Sequence, residues 1–270
     1  MHLSWKITGR ILLYIGIYFA VQVLAFSIVS VCFGIKAGIE NRGMFSQEQI
    51  QTIVNQNIHW ILIGSVLSTF GLYWLIFRVR KESLIKRCNF TKIGFREMGY
   101  TILLGFGFNA FLVVMNIFTN YYRLFPEHEK LMISLIGGNI VLTLITVGIV
   151  IPVFEEILFR GIVFNELRKW IRLPLALILQ GLVFGLYHMN VLQGIYGTLM
   201  GILAALAYVW VGSLWAPILV HAGFNLIGVF LSRLNEQILV QYSWGILFFS
   251  ILILAYALYT AWKRRIINFK

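Results

Sequence analysis

The chain has 270 residues, 60% of them hydrophobic and only 12% charged, with 22 Lys and Arg against 10 acidic residues and a net charge of +12. Soluble domains carry roughly 25% charged residues, so this composition excludes a water-solvated fold and calls for lipid. The basic excess then reports on orientation in a membrane, and nucleic acid is not expected as a partner.

The first apolar run, 11–34, follows Lys6 and Arg10. It is too long for the core of a signal peptide and lacks a small-residue cleavage site, so it is expected to remain as a first span. Further runs fall at 58–77, 98–119, 133–166, 174–189, 194–212, 214–232 and 242–262. Each span needs about 20 residues, which predicts an all-α polytopic bundle of about eight transmembrane helices, a single membrane domain over 1–270. Eight spans put Lys6, Arg10, the basic segment 78–96, Arg160, the basic residues of 168–172 and those of 263–270 on one side, seventeen in all. Lys36, Arg42, Arg123, Lys130 and Arg233 fall on the other. The positive-inside rule makes the first side, and both termini, cytoplasmic. Segment 36–57 is then the longest non-cytoplasmic loop, and 78–96 a basic cytoplasmic loop that sets topology and can rest on anionic headgroups. The fourth run is longer than a span needs and the fifth is short, as in helices that line a cavity.

Ionisable groups at membrane depth are costly and usually functional. The fourth run carries Glu155-Glu156-Ile157-Leu158-Phe159-Arg160, the fifth Phe184-Gly185-Leu186-Tyr187-His188, and the seventh His221-Ala222-Gly223-Phe224-Asn225. His59 lies at a span edge, and His2 and His128 in polar flanks. Glu156 and Arg160 are four apart with the acid first, so they pair along one helix face. Glu155 points elsewhere without a local partner, which suits a general base. His221 and Asn225 share a face. Two histidines, a free carboxylate and an amide form a set for activating water, with or without a metal. Gly181 with Gly185, and Gly197 with Gly201, form small-xxx-small pairs for close helix contact. Pro152 and Pro217 are read as kinks that open space near the polar residues.

The three patterns, in this order, resemble the CPBP family, the CAAX-protease and bacteriocin-processing intramembrane proteases also called the Abi family. Its signature is Glu-Glu-xxx-Arg, then Phe-xxx-His, then His-xxx-Asn or Asp; the resemblance covers about 140–230 in detail. It implies an endopeptidase that cuts within or next to the membrane, in an integral protein of a bacterial plasma membrane, with a catalytic core at about 133–232. Carried over, Glu155 activates the water, His188 and His221 either bind a metal or orient water and stabilise the oxyanion, and Asn225 donates to the oxyanion. Glu156, Arg160 and Phe184 give structural support. Family members are called metalloproteases, and two histidines with one carboxylate match a three-ligand zinc site, in which Glu155 would be a ligand rather than the base.

These residues are expected to face one water-accessible cavity open toward the cytoplasm, and the partners to be lipids and a substrate with a membrane-associated segment. Other intramembrane chemistries fit poorly. The chain has no Asp for an aspartyl protease, no His-Glu-xx-His for a site-2 type, and no Gly-x-Ser-Gly for a rhomboid. Two other readings use the same residues: a non-catalytic scaffold or bacteriocin-immunity protein, and a proton path through Glu155, His188 and His221.

Overall fold

The computed structural model describes residues 5–39 and 46–265. His2, Arg42 and Lys270, and the rest of 40–45, lie outside the described residues. The helices in chain order are α1 (Trp5–Ile39), α2 (Gln47–Val79), α3 (Leu84–Cys88), α4 (Phe95–Thr119) and α5 (Pro126–Ile136). They continue with α6 (Ile140–Leu167), α7 (Leu173–Tyr187), α8 (Val191–Val211), α9 (Trp215–Leu231), α10 (Glu236–Gln241) and α11 (Ser243–Lys263).

Helices α1, α2, α4, α6, α8 and α11 are long and apolar enough to cross a membrane, and α7 and α9 are shorter apolar helices. The protein is a polytopic helical membrane bundle. Large apolar side chains such as Phe248, Phe249 and Leu252 on α11 point outward, as lipid-facing residues do. With 15 residues, α7 reaches about 22 Å at 1.5 Å per residue, short of a hydrocarbon core of about 30 Å.

Glycines let the core helices touch. A Cβ on Gly223 of α9 would lie 2.7 Å from the carbonyl oxygen of Ile102 on α4, and one on Gly201 of α8 would lie 3.1 Å from Cα of Gly181 on α7. Only glycine permits backbones this close. The helices alternate in direction, so the connections gather at two ends. At one end, Asn89 and Thr91 hydrogen-bond the carbonyl of Gly212, and Arg10, Arg87 and Lys169 surround Glu166. At the other, Arg233 donates to the carbonyls of Ile136 and Gly138, and Ser134 to Asn55.

Four sequence expectations change. Segment 36–57 is mostly helix: α1 runs to Ile39, and α2 begins at Gln47 behind a Ser46–Gln49 capping box. Reciprocal capping satisfies the first free N–H groups, so polar residues extend the helix beyond its apolar part. The fourth run, read as 133–166, is two elements divided at Gly137-Gly138, with Asn139 capping the start of α6. Pro217 does not kink α9. It sits in the first turn, where a missing N–H leaves no helical carbonyl unpaired. The basic segment 78–96 folds partly as α3, and Arg87 turns inward to Glu166.

Candidate active site

The site begins with a buried ion pair. Arg160 donates to Oε1 of Glu156 at 2.8 Å and to the carbonyl of Gly201 on α8 at 2.8 Å. Both side chains are fully buried. Their desolvation is severe, and the surroundings answer it with the Gly201 carbonyl and with Phe184, whose ring lies 4.7 Å from the guanidinium carbon. Gln180 donates to the same carbonyl. Phe184 is therefore a hub: the cation sits over it, while His188 and His221 meet it edge-on with centroids 4.8 and 5.7 Å away.

Both imidazoles are held through Nδ1. His221 Nδ1 lies 2.8 Å from Glu156 Oε1, and His188 Nδ1 lies 2.8 Å from the carbonyl of Phe184. A carboxylate and a carbonyl only accept, so each Nδ1 carries the hydrogen and each neutral ring has Nε2 as an acceptor. His188 closes α7 as its C-cap, and its side chain turns back one turn to reach Phe184. This brings it toward His221, which lies nearer the start of α9.

Asn225 answers a defect in α6. Residues 146–150 form a π-turn, in which the N–H of Ile151 reaches back to Thr146. In that register the carbonyl of Val147 would need the N–H of residue 152, which is Pro152 and has none. Asn225 Nδ2 supplies the missing donor at 2.7 Å. A second π-segment, Ile157–Phe164, follows the two glutamates. Such turns concentrate at functional sites.

Glu155 is buried, and its Oε2 has no hydrogen-bond partner. His221 Nε2 lies 3.8 Å from that oxygen, beyond a direct bond. Glu155, His188, His221 and Asn225 all line one cavity of about 640 Å³. It runs from Glu155 past Asn116, His128 and Ser232 to Glu236, the end of the bundle opposite the described parts of both termini. The sequence predicts cytoplasmic termini and a cavity open toward the cytoplasm; in this fold the two expectations exclude each other.

The free Nε2 atoms and the Glu155 carboxylate are ligands of the kind zinc takes. Among the described residues, however, no three His, Cys, Asp or Glu side chains are gathered to hold an ion. The residues as placed do not fit a three-ligand centre.

Other cavity residues carry weaker sequence signals. His128, read as a polar flank, is buried on α5, with Nδ1 3.3 Å from Asn190 Oδ1 and its ring against Tyr122 and Tyr196. Tyr18 and Gln22 of α1 also face the cavity. Their signal is spacing: Tyr14, Tyr18 and Gln22 make a polar stripe at four-residue intervals through an apolar run.

Residues 137–227 match the family model described as type II CAAX prenyl endopeptidase Rce1-like. The chain is 31% identical over 150 residues to the membrane-embedded CAAX protease MroQ of Staphylococcus aureus (strain USA300), covering 51% of this chain and 59% of that one. It is 32% identical over 84 residues to YdiL of Bacillus subtilis (strain 168), named for a membrane peptidase, covering 31% of this chain and 34% of that one. The chain thus spans less than two thirds of the length of either relative. No solved structure matches it significantly. Residues 137–227, which carry the three motifs, are thus similar to the CAAX prenyl endopeptidase family and to two bacterial membrane proteins named for peptidase activity.

Proposed function

We propose that the chain is an intramembrane endopeptidase that hydrolyses a peptide bond of a membrane-associated protein or peptide, with Glu155 as the base. The observation that supports this most is the convergence of Glu155, His188, His221 and Asn225 on one cavity inside an apolar bundle. The 3.8 Å gap between Glu155 Oε2 and His221 Nε2 suits a shared water, whose two hydrogens find an acceptor on each side. Its oxygen lone pair is then free to attack. Glu155 takes a proton as the water oxygen bonds to the scissile carbon, and the carbonyl electrons move onto the oxygen. When the tetrahedral intermediate collapses, the C–N bond breaks and Glu155 returns that proton to the leaving amine. Glu156 holds His221 in the accepting tautomer, and Arg160 binds the same oxygen of Glu156. A scaffold or immunity protein has no use for Glu155, a buried carboxylate oxygen without a partner.

The cavity walls are mostly apolar side chains from α1, α2, α4 and α5, which suits a substrate whose cleaved segment adjoins a hydrophobic anchor. The test is co-reconstitution with lipid-anchored and membrane-spanning peptides, followed by mass spectrometry of the products. Paired fragments from a single bond, absent with Glu155→Gln, are expected. No cleavage of any anchored peptide, or equal cleavage by the variant, would overturn the reading.

A further inference from the structure

The site is rich in acceptors and poor in donors. Glu155 accepts, and the bonds at Nδ1 leave His188 and His221 with accepting Nε2 atoms. Asn225 has already committed one N–H to Val147. Hydrolysis builds negative charge on the carbonyl oxygen, and that charge needs preorganised donors.

A donor stands on α1. Tyr18 is almost wholly buried, its ring 4.6 Å from that of Phe154, the residue before Glu155, and 5.7 Å from that of Tyr187. Gln22 Nε2 donates to the Tyr18 hydroxyl at 2.7 Å. A phenol that receives a hydrogen from an amide still has its own to give. Tyr18 lines the same cavity as Glu155 and Tyr187. Packing explains the ring, but it does not explain an amide that fixes the hydroxyl of a residue lining the cavity in which Glu155 has an unpartnered oxygen.

We propose that Tyr18, oriented by Gln22, is a further catalytic residue whose hydroxyl donates a hydrogen bond to the oxyanion formed when water attacks. No proton is transferred at this bond; the hydroxyl stabilises the oxygen until the C–N bond breaks. Tyr18 lies on the first helix, outside the 137–227 segment that matches the family. The inference rests on the endopeptidase reading.

The test compares Tyr18→Phe with Tyr14→Phe and Glu155→Gln in reconstituted protein. Tyr14 lies one turn away on the same stripe, and its hydroxyl takes a hydrogen from Arg80 outside this cavity. Tyr18→Phe is expected to lower kcat by roughly 10²-fold, the scale for removing one oxyanion donor, with KM within about threefold. Tyr14→Phe should leave kcat unchanged. In binding assays, Tyr18→Phe should lose at least about tenfold affinity for a tetrahedral phosphinate peptide while holding the parent peptide as wild type does. Wild-type kcat and phosphinate affinity in Tyr18→Phe, with Glu155→Gln inactive, would overturn the role of Tyr18 and leave the endopeptidase reading standing. Wild-type cleavage by Glu155→Gln, or a wild type that neither cleaves nor binds the phosphinate, would overturn both.

Discussion

His221 donates its Nδ1 hydrogen to the very oxygen of Glu156 that also receives Arg160, each at 2.8 Å. One buried carboxylate oxygen therefore balances the arginine and fixes the tautomer of the histidine. Glu156 is more than a structural partner for Arg160: it links the ion pair to His221 in the cavity wall.

Substitution of Glu156 should damage two properties together. Glu156→Gln leaves Arg160 buried without its counter-charge, a loss of about 3–5 kcal/mol, and it offers His221 a weaker acceptor. A fall in thermal stability and a fall in cleavage per folded molecule are both expected. Differential scanning fluorimetry and single-turnover assays on the same preparation measure them. Unchanged stability would show that the pair does not hold the bundle.

Glu155→Gln should behave differently. The carboxylate oxygen it removes has no hydrogen-bond partner, so stability should stay the same or rise, while cleavage falls by at least ~10²-fold, the scale of a lost general base. Thermal melts of the two glutamine variants side by side check this division, which fails if both lose stability alike.

Asn225→Ala should expose the consequence of Pro152. Without the amide, the carbonyl of Val147 is left in an apolar helix with no donor, at a cost of about 1–3 kcal/mol. Hydrogen exchange in the turn at 146–150 should quicken. Wild-type protection there would mean that the π-turn stands without Asn225. A Gly223→Ala variant, whose Cβ would fall 2.7 Å from the Ile102 carbonyl oxygen, should part α4 from α9 and lower stability by about 1–3 kcal/mol.

Most of the apolar runs, the order of the three motifs and the Glu156–Arg160 spacing were legible in the sequence because they are local. Hydropathy finds a span, and a four-residue interval places two side chains on one helix face. What was not legible lies between helices or depends on a missing hydrogen. The Glu156–His221 bond joins residues 65 apart, and Asn225 meets Val147 only because a π-register presents that carbonyl to a proline. Tyr18 looks like any tyrosine in an apolar run until α1 is packed beside Phe154. The mouth of the cavity followed from helix direction, which the charge count had assigned without reference to the site.

That geometry sharpens the topological expectation. The basic residues predict cytoplasmic termini, and the cavity mouth lies at the other end of the bundle. Reporter fusions at the C-terminus and within 36–57 should report opposite sides, with a cysteine placed at Glu236 labelled by an impermeant reagent from the side of 36–57. Labelling from the cytoplasm with a cytoplasmic C-terminus would contradict the arrangement.

His128 supplies a pH test outside the spans. Burial holds its imidazole below the ordinary histidine range, partly opposed by the Asn190 hydrogen bond. Because the folded value is the lower one, the folded protein takes up this proton less readily than the unfolded chain does. The stability it contributes is complete above the unfolded value of about 6.5 and declines as pH falls through the folded value. Hydrogen exchange across 126–136 should rise on acidification and lose that dependence in His128→Gln. A pH-independent wild type would remove His128 from the anchoring of α5.

The central claim is that Glu155 directs a water molecule at a peptide bond inside the bundle. Its most direct measurement is cleavage of an anchored peptide by reconstituted protein in ¹⁸O-labelled water, read by mass spectrometry at the new C-terminus. The account predicts one labelled oxygen in the product carboxylate with the wild type and at least ~10²-fold less product with Glu155→Gln. Product that forms without the label, or forms equally fast in the variant, would contradict it.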